Sequence, residues 1–181
     1  FNFTYNGQTF DRFAINANGW ISLGQSALTP AVNISSTSAY TPIQSTSTIT
    51  PNQLRSRIAA FARDLAAQAG SELRTELIGT APNQVRVIQW TNYTAYFETG
   101  QSLSFQIRLN EFDNSVEVVY STMTPNANAT PAQVGLGGFT ATDFNNRTTT
   151  TDWNTTTAGV ANSAQCAFSN TVTMPVSGRT F

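Results

Sequence analysis

Between Gln84 and Tyr120, hydrophobic and polar positions alternate along the chain. Leu103, Phe105, Ile107 and Leu109 are separated by Ser104, Gln106 and Arg108. A period of two sets one apolar face on a core and one polar face in water, the mark of a half-buried strand. Val116, Val118 and Tyr120 repeat the pattern. Between the two runs, Glu111-Phe112-Asp113-Asn114 supplies the Asp and Asn that tolerate the left-handed backbone of a tight turn. This is an antiparallel hairpin, preceded by a third strand from Val85 to Trp90 and a polar loop.

Similar signals recur on both sides. Strands at Phe1 to Tyr5 and Thr9 to Ile15 flank an Asn6-Gly7 hairpin turn. Trp20 to Leu23 follows Asn18-Gly19, and Leu73 to Ile78 precedes a Thr-Ala-Pro-Asn turn. Ala132 to Phe139 is a strand whose glycines permit close packing or a bend. Ala167 to Phe181 holds one or two closing strands, with Val172, Met174 and Val176 alternating. Residues 25–51 are rich in Ser, Thr, Ala and Pro without periodicity and read as a long loop, with a candidate edge strand at Ala39 to Ile43. Residues 52–69 differ: Leu54, Ile58, Phe61, Ala62, Leu65 and Ala69 fall near helical spacing, Pro51 suits a first turn and Gly70 an end. Read locally, that segment is an amphipathic helix. About ten short strands punctuated by turns predict an all-β, antiparallel two-sheet β-sandwich, jelly-roll-like, with long Ser/Thr-rich loops, as a single domain over residues 1–181.

Composition narrows the function. The chain has 181 residues, 40% hydrophobic and only 10% charged, so its surface is built from Ser, Thr, Asn and Gln. Ordinary globular chains carry about 25% charged residues. Such a surface suits an extracellular protein, or one that packs against copies of itself with little charge repulsion. The basic residues are scattered arginines and the net charge is −1, which excludes the clustered footprint of a nucleic-acid binder. No apolar run is long enough for a transmembrane helix, so no membrane insertion is expected. The first residues, Phe-Asn-Phe-Thr, lack Met and read as a strand, as in a mature form or a piece of something longer.

The order of several motifs resembles a known family. Asn18-Gly19-Trp20-Ile21-Ser22-Leu23-Gly24 comes first, then Ile58-Ala59-Ala60-Phe61-Ala62-Arg63-Asp64-Leu65. Val87 to Asn92, Phe105 to Leu109, Val116 to Tyr120 and Val134-Gly135-Leu136 follow. Over about residues 1 to 145 this order is similar to the nidogen-like extracellular domain and to related modules of secreted surface proteins of Bacteroidota-type bacteria. The resemblance implies a β-sandwich module of adhesive or matrix proteins, extracellular or at the cell surface, with no catalytic role. It also implies an extended strand at Ile58 to Phe61, against the local helix reading. Where that family has an aromatic and an acid, this chain has Ala62 and Arg63, which leaves Asp64 alone as support for a cation site there.

Candidate chemistry is sparse. Without His or Lys, the common general bases are missing, so the chain is expected not to be an enzyme and no catalytic residue is assigned. No metal site is assigned and no cofactor is expected. A structural Ca²⁺ is admitted by ligand type at Glu111 to Asn114 or Asp143 to Asn146, where turn chemistry explains the same residues. The single Cys166 reads as a small buried apolar residue. Trp90, Tyr93, Tyr96 and Phe97 gather beside polar Asn, Thr and Gln and form a candidate lectin-like site, since aromatic faces stack on sugar rings. Phe1, Phe3 and Phe181 are candidate assembly edges, pairing with copies of the chain as a homo-oligomer, filament or surface layer, or with neighbouring domains of a larger surface protein. Asn-x-Ser/Thr triplets start at Asn2, Asn33, Asn92, Asn128, Asn146 and Asn154; of these, Asn33, Asn92, Asn128 and Asn154 are the candidate glycosylation positions.

Overall fold

The computed structural model describes residues 1–26, 40–44 and 56–181. Within these, the regular elements are strands apart from a single 3₁₀ turn at Trp153–Thr155. A hairpin of β1 (Phe3–Tyr5) and β2 (Gln8–Phe10) stands by itself. One sheet holds six strands: β3 (Arg12–Asn16), β4 (Trp20–Gly24), β5 (Arg57–Ala62), β10 (Gln133–Gly137), β11 (Phe144–Thr148) and β12 (Thr157–Ala158). The other is a four-stranded meander of β6 (Leu65–Ile78), β7 (Val85–Ala95), β8 (Ser102–Asn110) and β9 (Val116–Thr124). All named pairings are antiparallel. The chain crosses between the sheets at Arg63 and Asp64, in two residues.

The alternation in β8 predicts its burial: Leu103, Phe105, Ile107 and Leu109 are buried, and the residues between them are half-exposed. These side chains meet β4 and β5 across an aromatic stack. Trp90 lies on Phe105 at 5.2 Å between centroids, Phe61 lies 5.8 Å from both Phe105 and Trp153, and Tyr120 meets Trp153 edge-on at 5.4 Å. Offset and edge-on rings add to the burial of large apolar area. The Tyr120 hydroxyl donates to the Ala60 carbonyl at 2.6 Å and so ties the two sheets together. On its other side, β5 covers a second small core of Trp20, Ile43, Ala59 and Ala62. Arg57 stacks on Trp20 there and donates to the Pro42 carbonyl at 2.6 Å.

Three local expectations are corrected. Residues 57–62 are the extended strand that the resemblance implies and not the helix of the local reading, buried along the whole length. A strand covered on both faces shows an unbroken apolar run and not alternation, and the near-helical spacing arose by joining that run to Leu65 and Ala69 of the next strand. The part of the helix reading at residues 52–55 lies outside the described residues. Of the edge strand expected near Ala39 to Ile43, residues 40–44 form no strand, with a turn at 42–44, and Ala39 is outside the described residues. Ala167 to Phe181 forms no strand. It packs as irregular chain on isolated bridges from Thr173 to Asp152 and Thr180 to Val119.

The end of the chain still does a strand's work on one edge. Phe181 exchanges two backbone hydrogen bonds with Val118, both 3.0 Å, and Tyr120 donates to Arg179 and accepts from Gly178. These bonds cover the middle of β9, the last strand of the four-stranded sheet. At the opposite edge, residues 72–78 of β6 pair only with β7 among the described residues.

Candidate functional site

The expected aromatic loop is not one loop. β7 runs on to Ala95, past a register shift between Trp90 and Tyr93 where Asn92 takes a left-handed backbone, φ 56°. The bulge lets the strand continue with Tyr93 turned into the core, and Trp90 and Tyr93 are both buried. Neither ring can present a face to a ligand, which corrects their assignment as contact residues. The physical reason is that the polar Thr91-Asn92 pair is a bulge inside a strand, not the start of a loop.

Tyr96 and Phe97 are different. They sit in the tight turn after β7, closed by the Glu98 amide donating to the Ala95 carbonyl at 2.9 Å. Phe97 has φ 62° and is 88% exposed, and Tyr96 is 50% exposed, with ring centroids 4.0 Å apart. A non-glycine residue in the left-handed region costs free energy, and an exposed Phe there recovers none of it by burial. Exposed aromatic side chains on a loop held by a rigid sheet mark binding surfaces.

Tyr40 joins this surface from the far side. Hydrogen bonding toward the Asp64 carboxylate, and then the Asp64 charge, hold its phenol above its ordinary pKa, with Tyr96 close enough to contribute. Asp64 lies at the crossover corner, where its carbonyl accepts from the Tyr96 amide at 2.8 Å. The Arg63 charge acts on both Tyr40 and Glu98. The Glu98 carboxylate accepts from Asn128 at 2.6 Å and Asn126 at 2.7 Å, and these bonds, the Asn128 one foremost, hold it below the usual carboxylate range. The surface is therefore three half- to fully exposed rings bordered by two acids, an arginine and two amides. Sequence reading missed Tyr40, Arg63 and Glu98 as members. Tyr40 carried a signal, being the one aromatic residue in the Ser/Thr-rich stretch 25–51.

The other assigned positions are occupied within the chain. Phe3 is buried in the main core, and Phe1 and Phe181 pack against it. As rings, therefore, none of the three forms an open assembly edge. The Asn92 amide donates to Ala69 and its oxygen accepts from Gln68 and Ser102, all inside the bulge. Asn128 donates to Glu98 and Asn154 to Asp152 at 3.0 Å. Asn33 lies outside the described residues. Asp113 accepts from the Ser115 amide at 2.9 Å and Asp143 from the Phe139 amide at 3.1 Å, both as turn bonds. No group of three or more His, Cys, Asp and Glu side chains placed to hold a metal ion occurs among the described residues. Cys166 is buried, and burial pushes its thiol up to about 12.

Two packed antiparallel sheets, with an exposed aromatic tip at the turn after β7, define a β-sandwich module. The chain belongs to the NIDO-related family, whose pattern matches residues 1–181, reaching past the stretch on which the resemblance rested. No curated protein and no solved structure matches the chain.

Proposed function

We propose that this chain is a non-enzymatic contact module of an extracellular bacterial surface or matrix, working by adhesion through the tip formed by Tyr40, Tyr96 and Phe97. The observation that carries the reading is Phe97, 88% exposed on a left-handed backbone, its ring tilted against that of Tyr96. Self-association into larger assemblies belongs to the same class of function, and a charge-poor surface supports it by limiting repulsion between copies.

A second reading is favoured by the border of the tip. Asp64, Glu98, Asn126 and Asn128 set acceptors and donors beside flat rings, the combination that grips the hydroxyls and apolar faces of a sugar. On this reading the module is a lectin-like domain and the adhesion partner is a glycan.

Both readings are tested with Phe97→Ser and Tyr96→Ser, each compared with the parent on an immobilised glycan panel and on surfaces coated with matrix proteins. Glycan capture lost in both variants at unchanged melting temperature supports the lectin-like reading. Capture by protein surfaces alone, lost in the same way, supports adhesion without sugar. Binding that survives both substitutions removes the tip from the mechanism.

A further inference from the structure

We propose that the outer edge of β6 pairs with the same edge of a second copy, antiparallel about a two-fold axis at Thr75, so that two four-stranded sheets join into one of eight. The inference deepens the self-association part of the reading above.

The edge is open and regular. Residues 72–78 keep an unbroken register with β7, from Glu72 opposite Thr91 to Ile78 opposite Val85, and the register shift lies just before them. No Pro, Gly or bulge interrupts the seven residues. Alternate backbone N–H and C=O groups of an edge strand point away from the sheet, and among the described residues nothing bonds to them here. The opposite edge, β9, is already paired at Val118 and Tyr120 by residues 178–181. The side chains are also unusual for a solvated edge. Leu73 and Thr75 lie on the core side of the sheet, opposite Trp90 and Ile88, yet Leu73 and Leu77 are each 37% exposed and Ile78 is 45% exposed.

Charge selects both the occupant and the register. In an antiparallel pair of identical strands, opposite residues share one face and their numbers have a constant even sum. Centred on Thr75, Arg74 stands opposite Glu76 of the partner subunit, twice by symmetry, and Leu73 stands opposite Leu77 of the partner subunit, also twice. Centred on Arg74, the arginines face each other and Glu72 faces Glu76. Centred on Glu76, two glutamates meet at the axis. Centred on Leu73, the irregular residues 68–70 enter the ladder. Opposite charges directly across a ladder stabilise and like charges destabilise, so of the registers centred on Arg74, Thr75 and Glu76 the Thr75 one alone sets unlike charges against each other. In the monomer Arg74 leans on Glu72 at 2.5 Å, and Glu76 has no ion-pair partner among the described residues. Seven residues a side make an interface below the standard size, so the pairing is weak and concentration-dependent.

The test is sedimentation equilibrium of the whole chain up to about 1 mM protein, where even a millimolar Kd leaves a large dimer fraction. The parent is expected to show a monomer–dimer equilibrium. Glu76→Arg or Arg74→Glu alone should weaken it by about tenfold or more, through like charges at two symmetric contacts. The double reversal Arg74→Glu with Glu76→Arg should restore it, and an equimolar mixture of the two single variants should form heterodimers. Because these positions are exposed, circular dichroism of each variant should match the parent. A monomer at every concentration overturns the proposal, as does a dimer that neither single variant weakens. Glycan and surface capture by the tip should be unchanged in all variants, so failure of the dimer and failure of the tip are told apart.

Discussion

Gly19 and Gly7 offer a matched pair of substitutions, since both follow an Asn in a turn and both have positive φ, 83° and 74°. A Cβ at Gly7 would meet nothing within 4 Å. A Cβ at Gly19 would stand 2.2 Å from the Phe61 carbonyl oxygen and 2.8 Å from its carbon, with the Phe105 ring at 3.1 Å. Alanine at either position incurs the left-handed penalty of roughly 1–2 kcal/mol, partly offset because alanine also restricts the unfolded chain. At Gly19 the turn must in addition retreat from β5 by about an ångström. That retreat breaks the bonds that the Ala60 and Phe61 amides donate to the Gly19 carbonyl, 3.1 and 3.3 Å, at about 1 kcal/mol each. Gly7→Ala should therefore cost about 1 kcal/mol and Gly19→Ala about 3 or more. Urea unfolding followed by far-ultraviolet circular dichroism measures both. With a slope near 2 kcal/mol/M, the two midpoints should differ by roughly 1 M. Equal midpoints would refute the claim that the Asn18-Gly19 turn is pressed against β5.

Other consequences are measured in the same way. Trp90→Ala should cost about 3–5 kcal/mol as a large-to-small change in a packed core, whereas Phe97→Ala should stay within about 0.5 kcal/mol, and calorimetry separates them. Tyr120→Phe leaves the Ala60 carbonyl without its 2.6 Å donor and should cost about 1–3 kcal/mol, read as a lowered melting temperature. Cys166 and Tyr120 both have pKa values raised by burial, Cys166 from 9.0 to about 12. A raised acid holds its proton longer in the folded state, so its contribution is complete below pH 9 and is lost as pH climbs from 9 toward 12. Melting temperature should fall over that window, and Cys166→Ala should flatten the part that begins near pH 9.

The hairpin of β8 and β9 was legible because one face of each strand is buried and the other is not. Phe105 and Gln106 announce opposite environments, and the pattern reads directly. β5 was illegible for the converse reason: both faces of Ile58-Ala59-Ala60-Phe61 are buried, so nothing alternates. Only the shared order of motifs with a family pointed to a strand there. At the tip, Tyr96 and Phe97 were found and Trp90 and Tyr93 were misplaced, because a bulge at Asn92 is a backbone event that polar residues in sequence do not distinguish from a loop. The membership of Tyr40 and Asp64, and of Asn126 and Asn128 beside Glu98, depends on contacts between segments far apart in the chain, which no local pattern encodes.

The placement of the three tryptophans has a practical consequence. Trp20, Trp90 and Trp153 are all fully buried, two in the ring stack between the sheets and one under Arg57 in the smaller core. Their emission should be blue-shifted and shielded from dissolved quenchers, and it reports whether the two cores are packed. None of them lies at the aromatic tip or on the outer edge of β6. A ligand or partner arriving at either place would leave intrinsic fluorescence dark, so a flat titration curve would say nothing against binding. A tryptophan placed at Phe97 would give the tip a signal of its own.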